Sequence, residues 1–375
     1  MREGSRAVPS GCNLHVPHAD DSRSNHGRNA GVAVRHATDA LDAEGSAKAA
    51  GGSARAAVRL LGPPRLRGFA AQVLRGQAQV TFLPSALAGA VFCLALTAAG
   101  WEYGLYALAG TAVGTATARL LGVDRERVAS GLEGFNACLT ALCCAVLLGA
   151  RHPSTALLAL AGCVVVTVVT AAVVHLLGTW RLPSLTLPFC LVAGAVTIAA
   201  PGFRRVWHHG DGLAALPGPA SGTTAVRPAE LARGFFADFA QIFLMPQWYV
   251  GALLLLGLLL ADRRAAGVAC LGSAAGIATA WALGTPAARI ADGTSGYNSV
   301  LVALALCGVF LPVRTATLAY ALLGAGTATA VGPAVSALFA PSGGHTFTWP
   351  FVLTTLVFLA AAKSFPRLAG SPGQA

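Results

Sequence analysis

One part of this chain is written twice. Gly134-Phe135-Asn136, with Leu139 behind it, returns as Gly296-Tyr297-Asn298 with Leu301. Thr186-Leu187-Pro188-Phe189 returns as Thr348-Trp349-Pro350-Phe351, and Gln79, followed by Pro84, returns as Gln241, followed by Pro246. The interval is 162 residues each time (296 − 134, 348 − 186, 241 − 79). A register kept across three separated motifs implies two tandem copies of one unit. The repeated residues are amides, hydroxyls and aromatics set in apolar sequence. That is how a polar path through a membrane would be built.

The surroundings agree. Of 375 residues, 55% are hydrophobic and 11% charged, and the mean hydropathy is +0.64. A soluble core of this size needs more polar surface than that. Nearly uncharged segments recur near the roughly 20 residues that a membrane helix requires. The clearest are Thr155–Gly178 and Thr315–Leu338. Shorter runs are Ser85–Ala99, Gly104–Leu121, Phe135–Leu148, Leu187–Ala200, Trp248–Ala261, Ala265–Leu283, Tyr297–Phe310 and Trp349–Ala362. They make about ten candidates, five to each half. Several are short for a full crossing. Short pieces flanked by Pro or Gly, at matching places in two halves, point to broken or re-entrant helices beside a central site.

The formal net charge of +11 has a plain source. Arginines crowd residues 1–75, and Lys363 and Arg367 follow the last apolar run. Both read as positive-inside flanks, with the N- and C-termini cytoplasmic and the protein multi-pass in the cell membrane. Nucleic-acid binding is disfavoured, because the basic residues lack interleaved aromatics. Residues 1–60 carry no apolar periodicity and are expected to be a disordered tail. No apolar region near Met1 suggests a secretory signal. Asp20, Asp21, Asp39, Asp42 and Glu44 argue against a transit peptide, and a start assigned too far upstream would look the same. Of the nine cysteines, all but Cys12 lie in apolar segments, where cysteine acts as a small hydrophobe.

The expected organisation is a first membrane repeat over 68–201, a Pro- and Gly-rich loop over 202–231, a second repeat over 232–365, and a short tail over 366–375. The fold class is an all-α integral membrane protein. Five crossings per half is odd, so the second copy enters the bilayer inverted, with a pseudo-two-fold axis in the membrane plane. A duplicated residue then becomes two related points along one path.

Thr186 and Thr348 each precede a Pro-Phe pair, Pro188-Phe189 and Pro350-Phe351, at the start of an apolar run. Proline is tolerated in a helix's first turn, so each Thr lies near a helix N-terminus. Its hydroxyl either caps that helix or faces a polar solute. Phe135 and Tyr297 each carry a leucine, Leu139 and Leu301, four residues on and so on the same helix face. That gives a flat apolar wall, or simple core packing. Asn136 and Asn298 are expected to tie down helix breaks, because backbone groups freed in lipid need partners. Gln79 and Gln241 can both donate and accept, and so hold a small neutral solute without holding an ion.

Some positions break the symmetry. Glu133 faces Ser295 across the repeat, and is either functional or a snorkelling interface residue. Asp238, one turn before Gln241, has the same ambiguity. His175 is alone and expected to be a packing residue. No P-loop, HExxH, Cys/His metal spacing, repeated Asn-Pro-Ala or Arg-rich helix occurs. Neither a cofactor nor an enzymatic constellation is indicated.

At these residues the chain resembles the urea transporter family, over essentially all of Gly68–Phe365. The resemblance rests on Arg75–Val80, Gly131–Asn136, Leu185–Phe189, Gly293–Leu301 and Thr346–Phe351. It implies passive, channel-like conduction of urea through one pore in each subunit of a homotrimer in the lipid bilayer. By the same resemblance, Gln79 and Phe82 would form one aromatic slot with Tyr297 and Leu301. Gln241 and Ile242 would form the other with Phe135 and Leu139, with Thr186 and Thr348 at the midplane. Phe358 matches a further aromatic position of the pore; its repeat partner, Val196, is not aromatic. Two departures stand out. Thr294 replaces a bulky residue before one slot, which would broaden selectivity, and Glu133 replaces an apolar one. The alternatives to urea are ammonia or short amides as solute, or a membrane sensor or scaffold that conducts nothing.

Overall fold

The computed structural model describes residues 64–207, 222–365 and 368. The expected tail over 1–60 and the middle of the connecting loop lie outside them. Among the described residues the architecture is all-helical, with no strands. The first half holds α1 (Pro64–Ala78), α2 (Ala86–Ala99), α3 (Trp101–Leu120), α4 (Arg125–Ala129), α5 (Phe135–Leu148), α6 (Pro153–Gly178) and α7 (Leu187–Ala199). The second holds α8 (Pro228–Gln241), α9 (Trp248–Ala261), α10 (Arg263–Ala282), α11 (Ala287–Ala291), α12 (Tyr297–Leu304), α13 (Thr315–Phe339) and α14 (Trp349–Ala362). The sequence offset reappears in the helix starts: α2 and α9, α3 and α10, α4 and α11, α5 and α12, α6 and α13, and α7 and α14 each begin 162 residues apart.

Five of these helices per half are the apolar runs of the sequence. The other pairs, α1 with α8 and α4 with α11, were not legible as apolar segments. The first carry charged residues at Arg75 and Glu230, and the second are five residues long with charges inside. Among the described helices only α6, α10 and α13, the last with its 3-10 extension to Ser342, are long and apolar enough to span a bilayer alone, and α1 with α2 forms a pair bent by 79°. The 14-residue helices α2, α5, α9 and α14 measure about 21 Å at ~1.5 Å per residue, against a hydrocarbon core of ~30 Å. They are the short pieces that the sequence marks as candidates for broken or re-entrant helices. Short helices that start inside the bilayer are sustainable only where protein covers their ends.

The outer surface is that of a membrane protein. Leu94, Leu157 and Val168 stand exposed on their helices, and Trp101, Trp180, Trp248 and Trp281 stand exposed at or beside helix ends. Apolar flanks with aromatic ends fit a bilayer and its interfaces. His175, expected to be a packing residue, is instead exposed near the end of α6. Inside, one apolar core runs through both halves and includes Phe92, Phe189, Phe243, Leu254 and Phe351. Phe92 of α2 meets Phe243, just after α8, edge-on at 5.5 Å between ring centroids. Close helix approach rests on small residues. A Cβ on Gly89 would overlap the backbone of Leu74, and one on Gly251 that of Phe236, the matching pair in the other half.

Candidate functional site

Three local devices recur in both halves and position the site. The first is the turn that ends α1 and α8. Phe82 and Leu244 stand at φ 64° and 61°, a left-handed conformation that side chains adopt rarely and at a cost of about 1–3 kcal/mol. Their N–H groups return to the carbonyls of Gln79 (3.0 Å) and Gln241 (2.9 Å). The second is the turn before α5 and α12. Gly131 and Gly293, at φ 85° and 75°, lie against the backbones of Arg75–Gly76 and Ala237–Asp238. The two devices are joined by the glutamines. Gln79 Nε2 donates to the Ser130 carbonyl (2.9 Å), and Gln241 Nε2 donates to the Asp292 carbonyl (3.0 Å).

The third device is the start of α7 and α14. Leu185 and Phe347 are left-handed, at φ 49° and 40°. The next residues, Thr186 and Thr348, take nearly identical angles, and neither hydroxyl caps its own helix. Thr186 Oγ1 and Thr348 Oγ1 instead meet at 2.6 Å, both side chains buried. Capping, the alternative role open to these threonines in the sequence, is not theirs. Cys190, one turn into α7, adds its Sγ 3.1 Å from Thr348 Oγ1. Pro188 and Pro350 sit in the first turns of α7 and α14, where no helix hydrogen bond is lost.

The other candidate residues lie in or against the common core. Leu139, Ile242 and Leu301 are buried in the common core, and Phe82, Phe135, Tyr297 and Phe358 are half-buried against it. Phe82 touches Phe310 and Phe351, each at 6.1 Å between centroids. Tyr297 donates its hydroxyl to the Phe347 carbonyl. Phe358 lies 4.9 Å from the ring of Tyr320, whose hydroxyl donates to the Phe358 carbonyl. Asn298 Oδ1 accepts from the Phe351 N–H (3.1 Å) at the start of α14. Asn136 Nδ2 reaches the Leu185 carbonyl and Thr170 Oγ1, both at 3.5 Å.

Glu133 and Asp238 each have a partner within the protein, although Asp238 Oδ1 is buried without one. Glu133 is buried and pairs with Arg127 at 2.7 Å. Asp238 is fully buried and accepts from Ser273 Oγ at 2.6 Å. Neither snorkels. Thr294 is exposed, and its hydroxyl bonds within its own turn, to Asp292 Oδ1 (2.7 Å) and the Arg289 carbonyl (3.2 Å). No cluster of His, Cys, Asp and Glu that would hold a metal occurs among the described residues. Sequence reasoning missed Cys190, Phe310 and Tyr320. None is repeated: Val352, Leu148 and Leu158 stand at the matching positions, so the duplication that singled out the rest was silent about them.

The comparison with known proteins follows the same boundaries. The profile described as "Urea transporter" matches residues 70–363. The sheep (Ovis aries) "Urea transporter 1" is 28% identical over 311 residues, covering 82% of this chain and 81% of the relative. The rat (Rattus norvegicus) "Urea transporter 1" is 28% identical over 302 residues, covering 80% and 79%. With the profile spanning most of its length and both copies of each motif in place, the chain belongs to the urea transporter family.

Proposed function

We propose that urea passes down its gradient through a path between two inverted repeats, 68–201 and 232–365, and that Thr186 and Thr348 form its narrowest polar point. The observation that carries this reading is the 2.6 Å contact between two buried hydroxyls 162 residues apart. They begin two short helices, α7 and α14, so the two N-termini meet head to head inside the apolar core. That arrangement supports an inversion more directly than a count of crossings does. It also sets selectivity. Two helix N-termini facing one point carry partial positive charge, which disfavours cations. Nothing at the site replaces an ion's hydration shell. A flat neutral solute with several N–H donors is the matching cargo.

Gln79 and Phe82 face Tyr297 and Leu301 as one slot on this path, and Gln241 and Ile242 face Phe135 and Leu139 as the other, with Phe358 beside them. Each glutamine has committed its amide nitrogen to a carbonyl, which leaves Oε1 to accept from urea. Asn136, Asn298, Pro188 and Pro350 hold the helix starts. The subunit is read as one of a homotrimer in the cell membrane, with both termini cytoplasmic, 202–231 as the connecting loop and 366–375 as a short tail. Purified protein in liposomes tests this reading by stopped-flow light scattering. Wild-type vesicles should admit urea well above empty ones, and Thr186→Val with Thr348→Val should return the rate most of the way to the empty level. Unchanged flux in the double variant would remove the threonines from the path.

A further inference from the structure

We propose that Cys190 is a positioning residue that sets the direction of the hydrogen bonds at the threonine pair. This inference rests on the permeation path through Thr186 and Thr348. The three groups form a buried row: Thr186 Oγ1 lies 2.6 Å from Thr348 Oγ1, which lies 3.1 Å from Cys190 Sγ. The row is one-sided. The residue that matches Cys190 in the second half is Val352, a side chain with no polar atom, so Thr186 has no such neighbour on α14.

The consequence follows from counting protons. Each hydroxyl has one O–H to give and two lone pairs to offer. Urea arrives with four N–H donors, so a threonine that points its own proton into the path repels what it should bind. In a bare pair, one hydroxyl donates to the other and the second proton is left over. Here Cys190 Sγ takes it. Sulfur is a weak acceptor and S–H a weaker donor than O–H, so the row runs from Thr186 to Thr348 to sulfur. Both oxygens then keep lone pairs for the solute. Cys190 is fully enclosed by the core, and its backbone N–H returns to the Thr186 carbonyl at 3.0 Å, which fixes the sulfur relative to both hydroxyls. It touches the threonine rather than standing in the slots, and acts through it.

A double-variant cycle on urea flux tests this in liposomes. Cys190→Val removes the acceptor and copies the second half. It should slow urea by about threefold to tenfold, the range equivalent to a single net hydrogen bond. Cys190→Ser supplies an oxygen acceptor and should keep at least wild-type flux. In a Thr348→Val background, where the hydroxyl that donates to the sulfur is gone, Cys190→Val should add no further loss. A packing role would slow flux in both backgrounds and would not be rescued by serine. If Cys190→Val does not assemble, Cys190→Ala removes the same acceptor with less volume and is read in the same way. Wild-type flux at the empty-vesicle level would overturn the path and this inference with it. Wild-type flux that is matched by Cys190→Val, or an equal loss with and without Thr348, would overturn the inference alone.

Discussion

The turn before α5 and the turn before α12 do the same work with different chemistry. In the first half the carboxylate belongs to the turn: Glu133 pairs with Arg127 at 2.7 Å, and the helix below offers only Gly76. In the second half the carboxylate belongs to the helix: Asp238 stands at the position of Gly76 and lies against Gly296, with Ser273 donating to it at 2.6 Å. The turn then carries Ser295, whose hydroxyl reaches the Arg289 carbonyl at 3.2 Å. What stayed constant is the backbone: the left-handed glycine and the glutamine bond to the turn's carbonyl. The two turns thus keep one shape and one fixed carbonyl, whichever element supplies the charge.

This contrast orders the expected losses. Gly131→Ala and Gly293→Ala strike the shared backbone, where φ is positive and a Cβ meets the helix below. Each should destabilise by about 3 kcal/mol, by a similar amount in the two halves. Thermal unfolding in detergent measures it, and a strongly unequal pair would break the equivalence of the turns. Glu133→Gln comes next. It leaves Arg127 without its anion, and because that guanidinium is partly exposed the loss should be about 2 kcal/mol, below that of a fully buried pair. Retained stability would mean the ion pair is ornamental. Asp238→Asn should be the mildest, about 1 kcal/mol, since an amide oxygen still accepts from Ser273. The same unfolding curve checks it, and a loss larger than that of Glu133→Gln would invert the ranking.

Much of the candidate site was legible because the chain states it twice. The pairs Gln79 and Gln241, Phe135 and Tyr297, and Thr186 and Thr348 stand out at one interval, and the structure gives each pair matching backbone surroundings. Helix ends were legible where Pro, Gly or Ser marks them, as at Pro84-Ser85 and Gly134. α1 and α8 were not, because a helix that buries one face against protein and ends at a polar site lacks an uninterrupted apolar run. Glu133 and Asp238 were visible as charges in apolar sequence. Their partners Arg127 and Ser273 lie six and 35 residues away, and only folding brings them within reach.

The sequence by itself determined the duplication, the helical membrane class and the family, because periodicity, composition and repeated motifs are local or additive properties. Only the tertiary structure decided what the threonines bond to. A hydroxyl at a helix start has two outlets, its own backbone or a distant partner, and no local rule chooses between them. The choice came from α7 and α14 meeting end to end, which also brought one unrepeated cysteine to the threonine pair.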